Sequence, residues 1–207
     1  MKDDRALFEA WCDGDRAAGS ELFDRHYEPL ARFFHNKVDE ASSADLVQRT
    51  FLACTEGRER FRREAGFRTY LFGIAHNLLR KHYQRRRADP GAIDFDEACV
   101  SDLAPSVSTL VRGKEEQRLL LAALRGIPID CQEVLELHYW EQMGTSEIGE
   151  IVGVPEGTVK SRLQRGRRLL ESKIRALASS GDLLQSTLDN LDRWAADLRE
   201  RVRGDGP

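Results

Sequence analysis

Apolar residues along most of this chain recur at three- and four-residue steps rather than at alternate positions, a pattern that predicts helices and no sheet. Leu7, Phe8 and Trp11 mark a short helix that Gly14 ends. Leu22, Phe23, Tyr27, Leu30 and Phe34 stripe the next, with Pro29 as a kink or break within it. A third is expected to start at Ser43 or Asp45 and to carry Leu46, Val47, Thr50, Phe51 and Cys54. A fourth includes Phe67, Tyr70, Leu71, Ile74, Leu78 and Tyr83. From Ala88 to about Gly113 the periodicity dissolves into Pro90-Gly91, the acids Asp94, Asp96, Glu97 and Asp102, and Ala104-Pro105-Ser106, which is linker composition.

Helical spacing then returns with Leu119, Leu120, Leu124 and Ile127, and again with Val134, Leu135, Leu137 and His138. The segment from Thr145 to Leu170 is the most informative. Thr145 or Ser146 offers an N-cap, Ile148, Ile151 and Val152 share a face, Gly153 stops the helix, and Pro155 suits the first turn of another. Along that second helix Val159, Leu163, Leu170 and Ile174 form a core stripe, with Gly166 allowing close approach. At about 100° per residue, Lys160, Ser161, Gln164, Arg165 and Arg168 spread over the outward side. Long phosphate- or base-binding side chains interleaved with short polar ones suit a helix in the major groove. The pattern reads as a helix-turn-helix.

The expected architecture is all-α: two small helical domains at 1–87 and 114–178, a flexible acidic linker at 88–113, and a C-terminal extension at 179–207. In that extension Leu184, Leu188, Leu191, Ala195, Leu198 and Val202 form a seam for a partner helix or for the chain's own surface.

Composition sharpens this picture. A net charge of −3 does not itself advertise a nucleic-acid binder, but its distribution does. Arg80, Lys81, Arg85, Arg86 and Arg87 form one basic block and Lys160 to Arg175 another, with acids collected between them. No apolar run is long enough to span a bilayer, and no apolar segment follows the N-terminus, so membrane insertion is not expected and a cytoplasmic location is. Cys12, Cys54, Cys99 and Cys131 are isolated, without ligand spacing, and predict neither zinc nor a disulfide framework. Enzyme chemistry finds no support: His76 and His82 are six residues apart on a helix and face different ways, and there is no phosphate loop or nucleophile elbow. Neither a metal nor a cofactor is expected.

Three stretches resemble the extracytoplasmic-function sigma factors of the sigma-70 family: Asp45 to Leu52, Phe67 to Asn77, and Gly157 to Arg167. The first resembles the helix that binds the clamp of core RNA polymerase, which implies that Asp45, Gln48 and Arg49 meet polymerase. Arg49 stands where the family usually has an acid, and Asp45 is equally read as a helix cap. The second resembles the segment that opens and reads the minus-ten element. Asn77 matches the residue that reads a flipped base, His76, Arg80, Lys81 and Arg85 to Arg87 would follow the melted strand, and Tyr70 replaces a usual Trp. The third resembles the recognition helix for the minus-thirty-five duplex. The resemblance places Lys160, Ser161, Gln164 and Arg165 in the groove and Arg162, Arg167 and Arg168 on phosphates, with Thr158 also a DNA-binding residue.

The implied function is to direct core polymerase to promoters and help open them, with control by an anti-sigma factor or by the 182–202 segment. The acidic linker is read either as solvated or as a mimic of nucleic-acid charge inside polymerase. The competing function is a helix-turn-helix repressor or activator that binds duplex DNA without polymerase.

Overall fold

The computed structural model describes residues 3–58, 66–85, 93–103 and 115–178, and the regular structure among them is helical, with a single isolated bridge between Cys99 and Pro128. Arg86 and Arg87, most of the linker and the whole C-terminal extension lie outside the described residues.

Aspartates start the first three helices. Asp3 caps α1 (Asp4–Cys12), Asp15 caps α2 (Arg16–His35) and Asp39 caps α3 (Glu40–Gly57), each carboxylate accepting from backbone N–H groups that have no partner inside the helix. The third helix thus begins before Ser43, and Asp45 lies inside it rather than at its cap. Pro29 neither ends nor divides α2, which runs continuously past it with Leu22, Leu30, Phe33 and Phe34 buried on either side. α4 (Phe67–Arg85) completes the first unit. Leu7, Phe8, Trp11, Leu22, Cys54, Phe67 and Leu71 form its outer core. Each leucine and phenylalanine among them contributes about 1.5–3 kcal/mol through burial. Burial also pushes the Cys54 thiol up to about 12, so it packs as an inert apolar group.

The second unit comprises α6 (Glu115–Arg125), α7 (Ile129–Tyr139), α8 (Thr145–Val152) and α9 (Glu156–Leu177), preceded by the short α5 (Val100–Leu103). α7 lies at its centre, buried from Ile129 through Leu137. A Cβ on Gly166 would stand 3.0 Å from Leu135 and 3.3 Å from Cys131, which is the close α7–α9 approach the glycine predicts. One hydrophobic cluster runs through both units, joining Phe34, Phe72, Leu79 and Tyr83 to Phe95, Leu124, Leu137, Ile148 and Leu163. The two domains are therefore packed against one another, with α4 lying on α8.

Residues 93–103 are not the solvated tether that composition suggests. Phe95 and Val100 are buried, the Ile129 N–H donates to the Ala98 carbonyl at 3.0 Å, and the Asp130 N–H donates to the Phe95 carbonyl at 3.2 Å. The reason lies at the start of α7: Pro128, its N-cap residue, makes no side-chain cap, and linker carbonyls satisfy the first free N–H groups instead.

Candidate nucleic-acid interface

The helix-turn-helix is built as its sequence suggests, with a shift of one residue at each start. Gly144 is the N-cap residue of α8, and its N–H donates to Glu147 at 2.9 Å. Thr145 is the first helical residue, and its hydroxyl donates to Glu156 at 2.6 Å, tying the start of α8 to the start of α9. Gly153 ends α8 at φ +71°, the left-handed conformation that glycine adopts without penalty. Pro155 is the N-cap residue of α9 rather than its first helical residue. Hydrogen bonds from Lys160 and Thr145 hold the Glu156 carboxyl below its ordinary pKa.

Val159, Leu163, Gly166, Leu170 and Ile174 face the core, leaving Lys160, Ser161, Gln164, Arg165, Arg167 and Arg168 exposed and Thr158 partly so. Lys160 pairs with Glu156 at 2.8 Å, Ser161 donates to the Thr158 carbonyl, and the Arg167 guanidinium lies 5.2 Å from the Tyr139 ring centre. Arg162 departs from the expected phosphate role in this arrangement: its side chain is 12% exposed and is held by Asp130 at 2.5 Å and Asp96 at 3.2 Å.

On α4, Asn77, Lys81 and Arg85 are exposed and spaced four residues apart, so they share a face. The Asn77 amide N–H donates to the Gly73 carbonyl at 2.9 Å, leaving its oxygen outward. His76 and Arg80 are not on that face. His76 is buried with Nδ1 3.0 Å from Glu133, and Arg80 donates to His76, pairs with Asp130 and stacks on Phe95 at 4.4 Å. The expectation that both follow a DNA strand does not hold while the domains are closed, because a turn of α4 faces α7 rather than solvent.

On α3, Leu46 and Val47 point inward while Asp45, Gln48 and Leu52 are exposed. Arg49 turns back to Asp45 at 3.2 Å, so the unexpected cation partly neutralises the neighbouring acid. Leu52, 58% exposed, adds an apolar centre that periodicity did not single out.

A buried ionic junction also went unread. Lys37 is fully buried, donates to the Phe33 carbonyl at 2.6 Å and pairs with Glu136. Burial raises the Glu136 pKa against the pull of Lys37. At Glu133 burial pushes the same way, but His76, Arg80 and Lys37 outweigh it and hold the carboxyl low. Arg32 and Arg68 converge on Glu141 at 2.9 and 3.0 Å. The signal was present: Asp130, Gln132, Glu133 and Glu136 crowd a helix with apolar residues on every side. Among the described residues no cluster of His, Cys, Asp and Glu is arranged to hold a metal ion, and no helix is long and apolar enough to cross a membrane.

Residues 22–88 match the sigma-70 region 2 model and residues 117–170 the sigma-70 region 4 model. The ECF RNA polymerase sigma-E factor of Haemophilus influenzae is 29% identical over 182 residues, covering 84% of this chain and 96% of that protein. Its Escherichia coli K12 counterpart is 25% identical over 183 residues, covering 84% and 95%. In fold the chain is similar to CnrH in complex with the cytosolic domain of CnrY, at TM-score 0.64 and 24% identity, covering 84% of this chain and 99% of CnrH. It is also similar to the sigma factor RpoE in complex with the anti-sigma factor NepR from Bartonella quintana, at TM-score 0.55 and 20% identity, covering 76% and 94%. The chain belongs to the sigma-70 family. Within it, the chain is an extracytoplasmic-function RNA polymerase sigma factor, whose partners are core polymerase and promoter DNA.

Proposed function

We propose that this sigma factor reads its promoter at two places, with α9 in the upstream duplex and the Asn77–Lys81–Arg85 face of α4 on the melted downstream strand. The observation carrying this reading is the exposure of both faces on separate domains, each with a basic rim. Lys160, Ser161, Gln164 and Arg165 are the groove residues, with Thr158 at their edge. Arg167 and Arg168 serve phosphates, joined by Arg162 when its carboxylate partners release it. His76 and Arg80 join the strand only on release from Glu133 and Asp130. On α3, Asp45, Gln48, Arg49 and Leu52 form the polymerase-facing stripe, spaced as one helix face. The protein contributes recognition, the chemistry is that of polymerase, and the site of action is the cytoplasm. Control falls to an anti-sigma protein, of the kind bound to RpoE in the structure from Bartonella quintana, or to the 182–202 segment.

Run-off transcription with bacterial core polymerase on a promoter library tests this. Core-dependent initiation is expected, and Asn77→Ala should impair opening while leaving upstream duplex binding nearly intact. Gln164 substitutions should change sequence preference, whereas Lys160→Ala should weaken binding on all sequences. Duplex binding with no effect on core polymerase would favour the repressor reading and overturn this one.

A further inference from the structure

The acidic turn Asp94–Glu97 shares a cleft of roughly 570 Å³ with Thr158, Ser161, Gln164 and Arg165, the α9 face assigned above to duplex DNA. Composition alone gives an acidic patch no function, but this one is built into place. Phe95, 6% exposed, lies under the Arg80 guanidinium, and its carbonyl caps α7. The Asp94 carboxylate accepts from the Asp96 N–H at 2.9 Å, which shapes the turn. Asp96 reaches Arg162 at 3.2 Å. Behind the turn, Asp130 binds Arg162 from the duplex-reading helix and Arg80 from the strand-reading helix. The turn therefore offers α9 what a phosphate backbone offers, anionic oxygens at the edge of a basic helix, across the cleft from the residues assigned to the duplex.

We propose that the Asp94–Glu97 turn is an intramolecular stand-in for DNA phosphates, seated on α9 so that the turn and the promoter duplex exclude one another. Phe95 is the plug that seats it, and Asp130 couples its release to release of Arg80 in the other domain. This rests on the assignment of α9 as the duplex-reading helix.

The test measures fluorescence anisotropy of a labelled random-sequence duplex with the full chain at about 0.15 M ionic strength, where charges more than about 8 Å apart are largely screened. Asp94→Asn/Asp96→Asn/Glu97→Gln should bind about tenfold more tightly than the natural chain, as expected if roughly a tenth of the molecules are open at rest. Phe95→Ala, which unseats the turn without altering charge, should tighten binding in the same direction. An equal charge change at exposed, distant positions, Asp13→Asn/Asp24→Asn/Glu40→Gln, should alter binding by less than about twofold, since screening removes distant charge. Adding Lys160→Ala/Arg165→Ala should abolish the gain. Equal tightening by both neutralised triples, or no tightening by Phe95→Ala, overturns the proposal. So does natural-chain affinity equal to that of the turn variant with both lost on the α9 substitutions, although the duplex-reading assignment then stands. Binding indifferent to the α9 substitutions in every background overturns the assignment and the proposal with it.

Discussion

Removing Lys37 alone should be among the most damaging single changes in this protein. Its side chain is 0% exposed and that of its partner Glu136 is 2% exposed, so Lys37→Met fills nearly the same space and strands a carboxylate where water does not reach. Breaking a buried pair in this way costs about 3–5 kcal/mol, a large part of the stability of a domain this size. The stranded group has an escape, because it can take up a proton. Burial already raises the Glu136 pKa in the presence of Lys37, and losing the cation raises it further. A group whose folded pKa lies above its unfolded value binds more protons when folded, so its stabilising contribution is present at low pH and lost as pH rises through the folded pKa. The Lys37→Met penalty should therefore shrink on acidification. Urea denaturation followed by circular dichroism and by fluorescence of Trp140, buried at the end of α7, measures it. Lys37→Met/Glu136→Leu should recover most of the loss, because it removes both charges from the same dry site. A single-variant cost below about 1 kcal/mol, typical of exposed pairs, would show that water reaches this pair and refute the reasoning.

Gly149→Ala should destabilise the helix-turn-helix by about 1–3 kcal/mol, since the new Cβ would stand 2.8 Å from the Val154 carbonyl and the turn backbone must move. A thermal melt unchanged from the natural protein would contradict that packing. His26 lies 2.6 Å from Asp4, yet burial outweighs the carboxylate and lowers its pKa below the ordinary 6.5. Its contribution is present above that ordinary value and is lost as pH falls from there toward the lowered one, so melting temperature should drop as pH falls below about 6.5 and His26→Gln should flatten that drop. Identical slopes for the two proteins would remove His26 from the account.

Elements governed by local periodicity were legible in the sequence. The stripe Val159, Leu163, Leu170, Ile174, the small Gly166 within it and the stop at Gly153 all follow from a period near 3.6 and from glycine's freedom at positive φ. What sequence withheld were contacts between residues far apart in the chain. An arginine such as Arg80 has the same local signature whether it awaits a phosphate or holds an aspartate fifty residues away. Phe95, a single aromatic among acids, carries no period at all, so the packing of residues 93–103 had no pattern to announce it. Asp45 misled differently: an aspartate near a helix start resembles a cap, but Asp39 had already taken that role.

The chemistry of the junction bears on whether the closed arrangement can open. Parting an apolar interface exposes surface that water does not reward, whereas charges such as Glu133, Glu136 and Glu141 regain hydration when separated, which returns much of the attraction lost. Arg80 and Arg162 need not return to water at all. Each is held now by carboxylate oxygens and, under the two-point reading proposed above, would be held by phosphate oxygens, and both are charge-assisted bonds of the same kind. Exchanging one for the other is close to neutral for the arginines. The resistance to opening then falls on what DNA cannot replace: the buried ring of Phe95 and its neighbour Tyr83. Substitutions at those positions should shift the balance between closed and open forms, whereas substitutions at the arginines should weaken the two together.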